Sequence, residues 1–462
     1  MLDRELLREL LDVLGAENIL TEQEDLLTYA YDATAAMKHC MPEVVVTPLS
    51  TEQVAEIVKI ASRYKVPIYP RGSGTNLSGG TIPTEGGIVL STLNLNRILE
   101  VDQDNLTATV QPGVIIQALN DQVIKHGLLY PPDPGTITTA TMGGSVSECS
   151  GGLRGLKYGV TKHYIMGLQI VLANGEVIRW GGKTVKNVTG YDLVALYTGA
   201  EGTLGIITEI IVKLIPAPEA RKSILAVFDD VDKAGKAIAA IIRNKVIPAT
   251  LEIMDNVTIQ TVENFVHAGL PMDAEAVLLC EVDGYKEVVE REALLVERIL
   301  KEEGAVEVKI AKDDQERDLL WLARRSALPA LAQKRPTTVL EDATVPRSKI
   351  PDMLKAIRRI ATKHKLEIAT FGHAGDGNLH PTILTDDRDG EEMKRVHLAV
   401  EEIFETAIAL GGTLSGEHGI GIAKMKFLDW EFGEAGVAAL RRIKEALDPN
   451  YLMNPGKIVR RN

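Results

Sequence analysis

Two stretches hold residue types that could do chemistry: "FGHAGDGNLHPTI" (371–383) and "GGTLSGEHGIGIAKM" (411–425). Together they contain His373, His380, Glu417 and His418, the richest metal-ligand candidates in a chain with nine histidines. Glycines at 375 and 377 make the segment between the first two histidines a loop that brings both imidazoles to one place, not a helix face. Two neutral imidazoles and a carboxylate suit a divalent transition metal with open positions. A single histidine is more often a satisfied structural side chain, but two histidines and an adjacent Glu–His pair, each in glycine-rich sequence, reverse that preference. His418 beside such a site can serve as a general base, because an imidazole titrates near neutrality.

A second chemistry is written in glycine. "YPRGSGTNLSGGTI" (69–82) has Gly72 and Gly74 of a dinucleotide fingerprint, but Leu77 stands where the third glycine belongs, and Pro83 and a β-branched run follow where a helix should. Such a loop can still cradle an anion with successive main-chain N–H groups. "PPDPGTITTATMGGSVSECSGG" (131–152) and "YTGAEGTLGIITE" (197–209) are two more glycine loops, and three in one domain imply close backbone approach to a large flat ligand. "GGKT" at 181–184 imitates a P-loop end, but Val177 occupies the position that pattern gives to glycine.

The elements that must position these residues fall into two textures. From about 40 to 217, short β-rich runs alternate with glycine loops and a helix, "TEQVAEIVKIASRYK". From 218 onward come strand–helix–strand units: "SILAVFDD", a helix with Val231, Ala234, Ile238 and Ile241 on one face, and "ATLEIMD", then "EAVLLCEVDG", "YKEVVEREALLVERILKEEG" and "AVEVKIA". Two such units predict a split-βαβ antiparallel sheet backed by helices, with a boundary near 215–222. The amino-terminal segment has leucines at helical spacing (Leu2, Leu6, Leu10, Leu14) and no signal-peptide core.

At 462 residues, 45% hydrophobic and 25% charged, the chain has room for two cores. Its net charge of -13 argues against nucleic acid as a partner. Three scattered cysteines, Cys40, Cys149 and Cys280, suit a reducing compartment and cannot hold an iron–sulfur cluster, and no run is long enough to span a bilayer. A cytoplasmic location follows, with any membrane association through partners.

"PRGSGTNLSGG", "PPDPGT", "TMGGSVSECSGG" and "GAEGTLGIIT", with "LDPNYLMNPGKI" near the end, resemble the vanillyl-alcohol oxidase (PCMH-type) flavoproteins, and within them the family of the FAD-linked glycolate oxidase subunit and FAD-linked D-lactate dehydrogenase. The resemblance implies an α+β fold: a two-subdomain PCMH-type FAD-binding domain over 1–217, with a helical segment at 1–38 and a core at 39–217. A ferredoxin-like substrate domain with a metal site would follow over 218–462, its tail from about 446 returning to the flavin. FAD is expected to be non-covalent, since Thr75 stands where covalent relatives carry histidine. Its pyrophosphate would lie on the 71–80 loop and its isoalloxazine between the domains. The implied cofactor residues are Pro70, Arg71, Gly72, Ser73, Gly74, Thr75, Asn76, Gly79, Asp133, Pro134, Met142, Gly143, Gly144, Ser147, Glu201, Gly205, Ile207 and Asn454.

By the same resemblance His373, His380 and Glu417 ligate one Zn, Fe or Mn ion, His418 is the base and Arg324 in "LLWLARRSAL" grips the substrate carboxylate, with Arg325 its rival. The implied reaction is oxidation of a 2-hydroxy acid to the 2-oxo acid, with hydride passing to the flavin. Relatives specific for D-2-hydroxyglutarate carry polar side chains where Thr382 and Leu340 stand here, so D-lactate or glycolate is expected. Electrons would leave to an electron-transferring flavoprotein or an iron–sulfur subunit, and a homodimer is possible. The rival readings are a D-2-hydroxyglutarate dehydrogenase, an alkyl-dihydroxyacetonephosphate synthase-like transferase and a non-catalytic electron carrier.

Overall fold

The computed structural model describes residues 3–461. The chain divides into two compact units. The first runs through Gly151, resumes over Val160–Ala217 and again from Glu417 onward; the second comprises Gly152–Gly159 and Pro218–Gly416.

In the first unit, the strands Ile19–Leu20, Val44–Val46, Ile88–Ser91 and Ile68–Arg71 lie in that order, the first pair antiparallel and the others parallel. Helices Arg4–Leu14 and Thr51–Tyr64 bury Leu6, Leu10, Leu14, Val54, Ile57 and Val58 in one core with these strands. Ser50 caps the second helix by accepting from the Gln53 amide. The amino-terminal segment is less helical than its leucine spacing predicts, being interrupted by the strand Ile19–Leu20 before the short helix Gln23–Leu27; Leu2 lies outside the described residues. A five-stranded antiparallel sheet follows in the order Ile98–Asp102, Thr107–Val110, Ile206–Lys213, Ile165–Val171, Val177–Gly181.

Two expectations for this unit need correction. Within the second glycine stretch, Met142–Glu148 is an α-helix, because Thr141 caps it by accepting from the Gly144 amide and its small residues pack closely. The carboxy-terminal return begins at Glu417, not near 446. Met453 pairs with Ile68 in a parallel bridge, and the buried Lys444 donates to the carbonyls of Thr203 and Met453. The segment 152–159 also leaves the first unit, because Lys157 and Tyr158 bind the Asp283 carboxylate at 2.5 and 2.7 Å.

The second unit is an eight-stranded antiparallel sheet. Its order is Glu307–Ile310, Ala220–Phe228, Ala276–Gly284, Thr250–Asp255, Glu367–His373, Asn378–Thr385, Thr337–Leu340, and Ala343–Thr344 also pairs with Asn378–Thr385. Helices Val231–Arg243, Lys286–Glu302, Ile350–His364 and Gly390–Ala409 cover one face. Asn256–Val266, Asp314–Arg325 and Ala327–Lys334 cover the other. His373 and His380 are therefore not on a loop, as their glycine-rich surroundings predict, but on the two strands of a hairpin whose turn is only 374–377, His373 paired with Asn378 and His380 with Phe371. Gly377 is left-handed, and a side chain there would meet the Val345 carbonyl, so the turn requires its glycine.

Lys457 is fully buried in the first unit, donating to the Ile82 carbonyl, and burial pushes its ammonium down to about 8 despite Glu201 and Asp32. Its unfolded value is about 10.4, so between pH 8 and 10 the unfolded chain binds more protons there and the group's contribution to stability rises with pH, by up to about 3 kcal/mol. The melting temperature of the wild type relative to Lys457→Met should accordingly increase over that range. A constant difference would refute the depressed value.

Candidate functional site

The first unit carries a small cleft that is open to solvent. Of the residues expected at the cofactor, Pro70, Arg71, Gly72, Gly143, Gly144, Ser147, Glu201, Gly205 and Ile207 line it. Ser73, Gly74, Thr75, Asn76, Gly79, Asp133, Pro134, Met142 and Asn454 do not form its lining, although Gly74 and Gly79 supply the left-handed turns of the 71–80 loop. The glycines let the loops interlock: a side chain on Gly72 would lie 2.2 Å from Thr141 Oγ1, and one on Gly202 would lie 2.4 Å from Pro70. No helix follows the loop, whose chain passes through turns to the parallel strand Ile88–Ser91.

The residues present fit an FAD. Among the described residues, the amides of Ser73, Gly74, Thr75 and Asn76 donate to no protein acceptor, which leaves a row of N–H groups for an anion. Asn454 is buried and donates to the Gly80 and Glu201 carbonyls, while its side-chain oxygen has no hydrogen-bond partner among the described residues. Burial, with Glu201 and Asp32 nearby, pushes the Glu148 carboxyl on the cleft wall well above the ordinary range. Glu201 is also raised by burial, and its carboxylate accepts from the amides of Ile420 and Gly421 at 2.6 and 2.7 Å. It thereby fixes the segment that carries Glu417 and His418, whose side chains approach to 3.5 Å. Ser78 anchors the same segment by donating to the His418 carbonyl.

Sequence reasoning missed the brace behind the loop. Asp32 accepts from the Thr34 amide and Asn76 Nδ2 at 3.0 Å and from the Thr81 amide at 3.3 Å. Thr34 accepts from the Gly79 amide, the Ala33 amide donates to the Gly74 carbonyl, and Arg71 donates to the Tyr31 carbonyl. The available signal was "YDAT", an Asp placed two residues before a Thr as in an Asx-turn.

In the second unit, strand alternation builds a polar cluster. Leu251 and Ile253 face the four-helix layer, so Glu252 and Met254 face the other, and on the neighbouring hairpin Ala369, Phe371, His373, His380 and Leu384 share that face. Glu252, 1% exposed, pairs with Arg324 at 2.5 Å and approaches His373 Nδ1 at 2.8 Å. Burial pushes its carboxyl up, but the charges and hydrogen bonds of His373 and Arg324 outweigh this and hold it below the usual value. Arg324 lies over the Phe371 ring at 4.9 Å, and the Phe371 and His380 centroids are 5.5 Å apart. The two imidazoles themselves are 5.1 Å apart and edge-on. His380 Nδ1 is 3.4 Å from Asp342, which also accepts from Ser415.

His373 Nδ1 is hydrogen-bonded to Glu252, the arrangement that turns Nε2 toward a metal, while His380 Nδ1 stands 3.4 Å from Asp342, and this donor chemistry fits a divalent transition ion. Arg324 is buried whereas Arg325 is exposed, and Arg324 Nε has no partner among the described residues.

The family model described as FAD binding domain matches residues 42–181, and FAD linked oxidases, C-terminal domain matches 217–458. The chain is 52% identical to glycolate oxidase subunit GlcD of Bacillus subtilis (strain 168), over 99% of this chain and 97% of that protein. It is 34% identical to D-lactate dehydrogenase of Anaerostipes hadrus, over 96% and 95%. Its fold resembles p-cresol methylhydroxylase at a TM-score of 0.82 and 20% identity, over 99% of this chain and 96% of that one. Alkyldihydroxyacetonephosphate synthase, at 0.77 and 21% over 98% and 86%, shares the same architecture. The two family models define an FAD-dependent oxidoreductase, with a fold like that of p-cresol methylhydroxylase. The chain belongs to the family that unites the GlcD polypeptides of glycolate oxidase with the FAD-linked D-lactate dehydrogenases. Among the described residues no helix is long and apolar enough to cross a membrane.

Because the loop's rigidity comes from residues 31–34, Asp32→Ala should weaken FAD binding to apoprotein about tenfold or more, about 1.4 kcal/mol. Quenching of flavin fluorescence in a titration measures this, and an unchanged Kd would show that the brace is dispensable.

Proposed function

We propose that this protein oxidises a small D-2-hydroxy acid, D-lactate or glycolate, to the 2-oxo acid. The observation that carries the reading is the buried Arg324, joined to His373 through Glu252 and to His380 through Phe371 on one face of the sheet. A buried guanidinium with an unfilled N–H, next to two imidazoles, is a receptor for a carboxylate that carries a second metal-seeking oxygen. In this reading Arg324 orients the acid by its carboxylate, and His418 accepts the hydroxyl proton at an imidazole nitrogen. FAD, when bound, supplies the hydride acceptor. His373, His380 and Glu417 are proposed to hold one Zn, Fe or Mn ion, whose role is to lower the hydroxyl pKa.

Leu340 and Thr382 support a small substrate. They are register partners on adjacent strands of this face, and neither offers a charge to a second carboxylate. The GlcD relatives are named as subunits, which supports passage of electrons to a partner, an electron-transferring flavoprotein or an iron–sulfur protein.

Under anaerobic conditions, D-lactate or glycolate should bleach the flavin's visible band, and L-lactate and D-2-hydroxyglutarate should not. Bleaching by hydroxyglutarate alone would reverse the substrate assignment. His418→Ala should keep FAD bound and lose reduction by more than about a hundredfold, the usual scale of a general base. Reduction at the wild-type rate would remove His418 from the mechanism.

A further inference from the structure

Glu252 has no part in the mechanism as stated, yet it is a buried carboxylate engaged by two functional side chains of the second unit. It sits in the centre of "TLEIMD", in a strand with a sheet neighbour on both sides, at 1% exposure. Both its oxygens lie within 3.0 Å of His373 Nδ1, and Arg324 takes one of them. We infer that Glu252 is the positioning residue that ties the substrate-gripping guanidinium to the first metal-binding imidazole. As an acceptor it keeps the proton of His373 on Nδ1, so that Nε2 presents its lone pair to a metal, and it restrains Arg324 so that the remaining N–H groups face an incoming carboxylate.

Two features separate this role from a plain structural ion pair. An ion pair needs one partner, and buried pairs are often replaced by apolar side chains without loss of stability. Here the same carboxylate also engages an imidazole whose neighbour, His380, has its own carboxylate, Asp342, beside Nδ1. The hydrogen bond from His373 Nδ1 to Glu252 is what a metal-directed imidazole requires.

The inference rests on the proposed metal-assisted oxidation, and one set of measurements separates the two. Zinc(II) and manganese(II) affinities are measured by chelator competition on purified, FAD-loaded protein for the wild type, Glu252→Gln, Arg324→Met and the double variant Glu252→Met/Arg324→Met. The double variant leaves no buried charge without its partner. Glu252→Gln and the double variant should bind zinc about 10- to 100-fold more weakly, and the double variant should do so with melting temperature and FAD content retained. Arg324→Met, which keeps the carboxylate, should bind within about threefold of the wild type, a margin far below that loss. Wild-type affinity in the double variant would overturn the role of Glu252 and leave the metal reading intact. Absence of zinc and manganese binding by the wild type would overturn both. Should neither Glu252 variant fold, the histidine 15N spectrum of metal-free wild type decides: His373 should be protonated on Nδ1, and the Nε2–H tautomer would overturn the inference.

Discussion

A glycine loop with no helix behind it must get its rigidity from elsewhere, and much of the first unit answers to that constraint. In a Rossmann turn the helix supplies both a fixed backbone and a dipole. Here the 71–80 loop leaves a parallel strand and passes through left-handed glycines to the next strand, so its shape is set by what packs around it. The amino-terminal segment binds it from one side through Asp32, Ala33 and Thr34. The carboxy-terminal tail is fastened beside it, with Asn454 donating to the Gly80 carbonyl and Met453 bridged to Ile68. Chain segments remote in sequence thus converge on one short loop, and that convergence explains why the tail belongs to this unit.

The second unit answers a different constraint, which is how to bury charge inside an apolar sheet-and-helix sandwich. An uncompensated charge there is prohibitive, so Arg324 and Glu252 neutralise each other and the Phe371 face covers the guanidinium. Strand alternation lets this happen without disturbing the other core, since Leu251 and Ile253 still fill the opposite layer. A polar site can then be mounted on rigid strands and not on mobile loops.

Much of this was legible in the sequence. The strand–helix–strand units from "SILAVFDD" to "AVEVKIA" correspond to Ala220–Phe228, Val231–Arg243, Thr250–Asp255, Ala276–Gly284, Lys286–Glu302 and Glu307–Ile310, because each has a clean apolar period. The glycine loops were visible too. What stayed hidden were elements whose local composition misleads: Met142–Glu148 looks like loop because helix capping and close packing override its poor propensity, and the His373–His380 hairpin looks like loop because its glycines serve the turn and the backbone approach. Asp32 and Glu252 were missed for another reason. Each acts through partners 40 or more residues away, and a lone acidic residue gives no periodic signal of that.

The geometry of one sheet face also limits what the proposed site can accept. In the proposed reading Arg324 satisfies one carboxylate by sharing its guanidinium between that ligand and Glu252, which already engages one of its terminal nitrogens. A second carboxylate on the substrate would need a second cation. The ladder positions best placed to supply one on this face, Leu340 opposite Thr382, offer an apolar side chain and a hydroxyl whose donor is already directed at the His380 carbonyl. Burying an unpaired carboxylate there would cost several kcal/mol. The same low-dielectric environment that makes Arg324 an effective grip for one carboxylate therefore makes the face hostile to a second, and in the proposed reading selectivity for small monocarboxylic acids follows from the charge balance of the sheet.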